Sequence, residues 1–370
     1  MIEFLDLKKE NEPYLDSLAA AAREVIQSGR YLFGSRVAAF QQELADFQQI
    51  PHVIGVGNGL DALKLILRGY VELGILKPGD EVIVPSNTFI ATLLAVSANG
   101  LKPVLVDPEF GTFNLSPESV TPHITKRTKA IILVHLYGRI CWDGRWKQLA
   151  DDHGLKILED NAQAFGALWR DIRSGTLGDA SAFSFFPAKN LGALGDAGAV
   201  GTHDAALAEI VRSLGNYGSS EAGNYKWRGE NSRMDEMQAA FLTIKLKEID
   251  QRNERRRTIA ENYLDQIDHP EIILPSRPSE EFRLSHVWHL FTLMTTNREK
   301  LIQHLLTQGI RTHIHYPIPP HMQPAYAAYK EEVLPVTEEI HQQTISIPCR
   351  PSLHDEEIEQ VIRSVNTYPG

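Results

Sequence analysis

Seven short runs of almost uniformly apolar residues recur between positions 53 and 200: VIGV at 53–56, EVIV at 81–84, PVLV at 103–106, AIILVH at 130–135, LKIL at 155–158, AFSFF at 182–186 and AGAV at 197–200. A strand with one wet face alternates apolar and polar residues, so strands apolar throughout are covered on both sides. The stretches between them have helical spacing, as in the segment from about Asp61 to Leu73 and the one after Thr88. Together they predict an α/β fold, with a mainly parallel central sheet covered by helices. Ligands of such sheets collect beyond the carboxyl ends of the strands. Asp160, just past LKIL, and Lys189, just past AFSFF, both fall there.

Two amphipathic helices are predicted ahead of this region. One carries Leu15, Leu18, Ala22, Val25 and Ile26 and stops at Gly29; the other carries Val37, Phe40, Leu44 and Phe47. After Arg233 the spacing of Met234, Met237, Phe241, Ile244 and Ile249 predicts one long helix, and the charged run Asp250 to Arg257 reads as a solvated face. The tail offers a strand-like VWHLFTLM, a helix near Glu299 to Gln308, the proline-rich HIHYPIPPHMQPAY and a closing helix. A chain of 370 residues exceeds what one core usually holds. The expected division is a large domain over 1–245 and a smaller C-terminal α+β domain over 246–370.

A formal net charge of -10 disfavours nucleic acid as a partner, so any phosphorylated ligand must be met by local donors. MIEFLDLKKENEPYL lacks the basic and apolar parts of a secretory signal, and no apolar stretch is long enough to span a bilayer. The expectation is a soluble, cytoplasmic protein with no membrane partner. Only Cys141 and Cys349 carry thiols, which fits a reducing compartment and packing roles.

Three motifs carry chemistry. In SFFPAKNLGALGDAGAV, Lys189 follows Ser184 by five positions, in a turn of small and apolar residues without another cation. A lysine after a strand is ordinarily a surface residue. At the edge of an apolar site, however, an ammonium tends to lose its proton and become nucleophilic, as imine formation requires. In ILEDNAQAFGA, Asp160 ends a buried strand and Gln163 follows three residues later. Alone, Asp160 reads equally well as a helix cap. Paired with Lys189, it gains a role against a pyridine nitrogen, where a carboxylate favours the protonated, electron-accepting ring; Gln163 is then placed for the ring's phenolic oxygen. GVGNGLDAL is a Gly-rich turn between strand and helix, able to present N–H groups to a phosphate ester. It is neither a P-loop nor a full GxGxxG.

With these motifs in this order, the chain resembles the DegT-like sugar-nucleotide aminotransferases of fold type I over essentially its whole length. The resemblance implies pyridoxal 5'-phosphate as cofactor, with Lys189 holding it as a Schiff base, Asp160 pairing the ring nitrogen, Gln163 at the ring oxygen and Phe89 of NTFIAT stacked on the ring face. Gly59, Leu60 and Ser184 would hold the phosphate, completed in this family by an asparagine of the neighbouring subunit, for which Asn231 stands at the matching position; the active sites are then shared in a homodimer. His315 and Tyr316 of HIHYPIPPH, and Tyr217, Tyr225, Lys226 and Arg228 of NYGSSEAGNYKWRGEN, are the implied substrate contacts. Departures are Phe186 and Ala188, where many relatives carry Tyr and Gly, and Phe165 in place of a common His. Dehydratase relatives replace the lysine with His, so Lys189 speaks for transamination.

A metal is not expected. His286, His289, His313, His315 and His321 have no carboxylate or thiol at ligand spacing. The implied reaction moves an amino group from L-glutamate to the 3-keto group of a dTDP-linked 6-deoxyhexose, giving a dTDP-3-amino-3,6-dideoxyhexose for deoxysugar, lipopolysaccharide or other glycan biosynthesis. Relatives acting on 4-keto or UDP-linked sugars share every catalytic motif and remain open. Two rivals from other classes predict features this chain lacks: a non-catalytic cofactor-binding regulator would have lost Lys189 or Asp160, and a nucleotide-dependent oxidoreductase would carry a complete GxGxxG with an acidic residue beyond it.

Overall fold

The computed structural model describes residues 1–221 and 223–370. Seven strands form the central sheet: β1 (His52–Val56), β2 (Glu81–Pro85), β3 (Lys102–Val106), β4 (Thr128–Val134), β5 (Lys156–Asp160), β6 (Ala180–Ser184) and β7 (Gly198–Thr202). Their order is β1-β7-β6-β5-β4-β2-β3. Every neighbouring pair is parallel except the two that involve β7, which runs against both β1 and β6. Periodicity carries no direction, so the AGAV run announced a buried strand without announcing its reversal.

Successive side chains of these strands enter different cores, which is why the runs are apolar throughout. Val82 and Val84 pack on one face with Ala130, Ile132, Val134 and Leu158, against helices Gly59–Glu72, Ile90–Ala98 and Ala205–Leu214. Ile83, Ile131, Leu133 and Ile157 pack on the other, against helix Arg145–His153.

A separate cluster gathers Ile259, Tyr263, Leu301, Leu305, Val361 and Val365 around the antiparallel pair Phe291–Met294 and Thr344–Ile347. The chain's first residues join it. Ile2 is buried there, its N–H donates to the Gly309 carbonyl at 2.7 Å, and its carbonyl accepts from Arg311 N–H at 2.9 Å.

Two sequence expectations need correction. The long helix after Arg233 is two helices, Glu236–Leu246 and Ile249–Gln266. The charged run is also not a solvated face, because Asn253, Arg256 and Arg257 are buried. The surrounding chain is irregular and its carbonyls need donors. Arg257 Nε donates to the His286 carbonyl at 3.0 Å, and Arg256 donates to the carbonyl of Cys349. Among the described residues no helix is long and apolar enough to cross a membrane.

Candidate active site

Strand register brings the motif residues together. The last residue of β6, Ser184, lies opposite Gly198 at the start of β7, and Gly198 lies opposite Val56 at the end of β1. The turn after β1 is thereby laid against Ser184. A methyl group built on Gly59 would meet Ser184 Cβ at 2.7 Å, and one on Gly198 would meet the carbonyl carbon of Asn58 at 2.4 Å. Only glycine fits either position. Helix Gly59–Glu72 starts here, with the Asn58 side chain accepting from Asp61 N–H. Among the described residues the Gly59 and Leu60 N–H groups have no protein acceptor, so two donors and the positive end of a helix face the space beside Ser184. The arrangement suits a phosphate group.

Asp160 is the last residue of β5 and is buried. Thr92 Oγ1 donates to its Oδ2 at 2.9 Å and Ala162 N–H to its Oδ1 at 3.3 Å. Burial pushes its carboxyl above the ordinary range, opposed by these two bonds and by the charges of Lys189 and His135. It has no ion-pair partner within 4 Å among the described residues. A buried carboxylate without a partner cation is costly, and a protonated ring nitrogen is a partner of the right charge.

Lys189 lies in the turn after β6, its N–H donating to the Phe186 carbonyl at 2.8 Å. Burial lowers its ammonium to about 8, against the attraction of Asp160, which raises it. About a tenth is therefore uncharged amine at pH 7, a far larger share than an ordinary lysine offers.

Gln163 is held at both ends. Its Oε1 accepts from Tyr137 N–H at 2.7 Å and its Nε2 donates to Tyr316 Oη at 3.0 Å. Phe89 caps helix Ile90–Ala98, is half exposed, and its ring centroid is 5.1 Å from that of Tyr316. The same helix supplies Thr92 to Asp160. Lys189, Asp160, Gln163, Phe89 and Tyr316 thus gather beyond the ends of β5 and β6, joined by contacts and mutual charge effects, with Gly59, Leu60 and Ser184 on the same sheet edge. The residue set fits pyridoxal phosphate in its phosphate cradle, its buried carboxyl group and its amine of lowered basicity.

The family model described as the DegT/DnrJ/EryC1/StrS aminotransferase family matches residues 15–366. The chain belongs to this family. This aminotransferase is 48% identical over 368 residues to dTDP-3-amino-3,6-dideoxy-alpha-D-galactopyranose transaminase of Aneurinibacillus thermoaerophilus, covering 100% of this chain and 99% of that one. A crystal structure of DesV from S. venezuelae in complex with a ketimine intermediate superimposes with a TM-score of 0.94 at 45% identity, covering 99% of this chain and 97% of the other. NtdA from Bacillus subtilis, solved with bound cofactor PMP, gives a TM-score of 0.88 at 32% identity, covering 98% and 83%. The cofactor of this aminotransferase is pyridoxal phosphate.

Other expected contacts lie elsewhere in the single chain. Tyr217, Tyr225 and Asn231 are exposed. Lys226 Nζ sits 4.6 Å above the Trp227 ring, and Arg228 lines a small cavity with Lys64 and Asn99. No hydrogen bond or ring contact among the described residues links these five to Lys189, Asp160 or Gln163. Ser232, beside Asn231, donates to Asp61 Oδ2 at 2.8 Å and so ties that segment to the first turn of the phosphate-facing helix. His315 turns its ring toward Ser346, with Nδ1 and Oγ 2.9 Å apart, while its carbonyl accepts from Tyr137 Oη. Burial, then His313 and Lys189, lower His315 to about 3, so its ring is neutral.

Sequence reasoning missed three supports. Thr92 needed the helix after Phe89 to be aimed at β5, which periodicity does not encode. Tyr137 adopts a positive φ of 58° inside a short turn. Glu159 stands next to Asp160 but is fully buried, accepting from Gly175, Leu177 and Gly178 N–H groups at 2.7 Å each and lying 2.8 Å from His135 Nε2. It staples a loop, a role its place in ILED did not reveal.

Proposed function

We propose that this aminotransferase moves the amino group of L-glutamate to the 3-keto group of a dTDP-linked 6-deoxyhexose, acting as a cytoplasmic homodimer in deoxysugar formation for a lipopolysaccharide or other glycan. The observation that carries the chemistry is the pairing of a lysine lowered to about 8 with a buried, unpaired carboxylate in one cleft. The substrate assignment rests on the named activity of the A. thermoaerophilus relative, similar over the full length of both chains.

Pyridoxal phosphate, when bound, supplies an aldehyde that bonds reversibly to amines and a ring that accepts the electron pair of a broken C–H bond. Lys189 Nζ would hold that aldehyde and, once free, would carry the proton from the donor's α-carbon to the cofactor. Asp160 would hold the proton on the ring nitrogen, which deepens the electron sink. Gly59, Leu60 and Ser184 would bind the phosphate, Phe89 would cover the ring face and Gln163 would orient the ring oxygen. In the second half-reaction Lys189 would deliver a proton to the sugar carbon that gains nitrogen. Asn231 completes the partner subunit's phosphate site, and Tyr217, Tyr225, Lys226 and Arg228 reach the nucleotide diphosphate from across the dimer, with His315 and Tyr316 on the sugar side. The exposure of Phe33, Tyr217 and Tyr225 supports such an interface.

The test is incubation with glutamate and a panel of 3-keto and 4-keto sugars linked to dTDP or UDP, with products read by mass and NMR. Amination at C3 of the dTDP-linked sugar is expected. Turnover restricted to 4-keto or UDP-linked sugars would overturn the substrate assignment and leave the chemistry standing.

A further inference from the structure

The residue after the reactive lysine is gripped by a hydrogen-bonded chain of side chains that the reaction scheme does not use. Asn253 Nδ2 donates to the Phe165 carbonyl at 3.0 Å, Asn190 Nδ2 donates to Asn253 Oδ1 at 2.8 Å and to the Val287 carbonyl at 3.3 Å, and Asn190 Oδ1 lies 3.0 Å from His289 Nδ1. A carbonyl can only accept, so Phe165 fixes the orientation of Asn253 and, through it, of Asn190. Asn190 is left with an acceptor facing His289. The proton of His289 is therefore on Nδ1, and Nε2 is a bare lone pair.

The surroundings are built for this chain. Asn253 is fully buried, and a methyl group on Gly166, whose φ is +83°, would stand 2.6 Å from its Nδ2. At the other end a methyl group on Gly138, φ +101°, would stand 2.7 Å from the backbone nitrogen of His289. Two left-handed glycines thus clear the space the chain occupies. Burial holds His289 well below its ordinary value, with the charges of Lys189, Arg256 and His315 acting in the same direction. Asp160 is the charge that acts on Lys189, and Lys189 in turn acts on His289 and His315.

We propose that Asn253, Asn190 and His289 form a positioning device for Lys189, fixing the backbone beside the lysine and keeping a neutral, Nδ1-protonated imidazole next to its amine. This rests on Lys189 being the reactive amine. A cationic imidazole at that place would drive the proton off the lysine nitrogen; a ring unbonded to Asn190 would let the Pro187–Gly192 turn drift.

The experiment uses the full-length holoenzyme and reads the pH midpoint of its visible absorbance together with kcat and KM. Asn190→Leu removes both the donor to Asn253 and the acceptor of His289 Nδ1–H, releasing the ring and the turn, so the midpoint should shift by about half a unit or more. His289→Phe removes the donor and should lower kcat about tenfold or more, with the sugar KM changed by less than about threefold. His289→Gln, which keeps a donor toward Asn190, should recover most of the loss. A midpoint unmoved by Asn190→Leu, or His289→Phe with wild-type kcat, overturns the proposal. Borohydride labelling of the wild-type protein separates the two readings: label absent from Lys189 sinks the reactive-lysine assignment, whereas label on Lys189 with unmoved midpoints sinks only the positioning device.

Discussion

The floor of the cleft, at the ends of β5 and β6, is fixed by strand ladders, whereas its wall, residues 286–290 and 313–321, combines isolated backbone bonds with side chains from distant parts of the chain. Asp160 keeps its register through the Val134–Asp160 and Asp160–Ala182 pairs. His315 and Tyr316 depend on Tyr137 Oη and Gln163 Nε2, and His286 depends on Arg257. Ladder bonds set atoms by backbone geometry that tolerates many sequences. Side-chain bonds set them by particular residues, so the wall can be reshaped by a few substitutions without disturbing the sheet. In the proposed mechanism, reaction type belongs to the floor, and substrate choice has room to vary in the wall.

The floor holds two adjacent carboxylates with opposite duties. Asp160→Asn should lower turnover about a hundredfold or more, the scale of losing a preorganised active-site group, while thermal stability holds or rises because the native carboxyl is already disfavoured by burial. Glu159→Gln should show the reverse, costing about 1–3 kcal/mol of stability for a disrupted buried hydrogen-bond network and sparing the kcat of molecules that remain folded. Equal kcat losses in the two variants would erase the distinction. In the wall, Arg257→Ala removes a buried donor and should cost about 1–3 kcal/mol in chemical denaturation, with sugar KM rising more than kcat falls. Tyr316→Phe should be mildest, about 1 kcal/mol in kcat/KM for one lost hydrogen bond; a stronger effect would give the hydroxyl a chemical duty.

That division also explains what could be read from residues alone. Lys189, Asp160, Gln163 and the Gly59 turn lie where apolar runs end, and the covered sheet makes those ends predictable. The reversal of β7 was invisible because a two-residue period has no direction. Arg256 and Arg257 looked solvated because they sit in a charged run, and their burial is decided by carbonyls from distant, irregular chain. Asp160 could be singled out as the strand's last residue, whereas nothing in the letters marked its neighbour Glu159 as the staple of a distant loop.

The most direct test of the account is reduction of the holoenzyme with borohydride, followed by peptide mass mapping. The pyridoxyl mass should sit on Lys189 in the wild-type protein and be absent from every peptide of Lys189→Ala. A label on another lysine, or undiminished labelling of the variant, would contradict it.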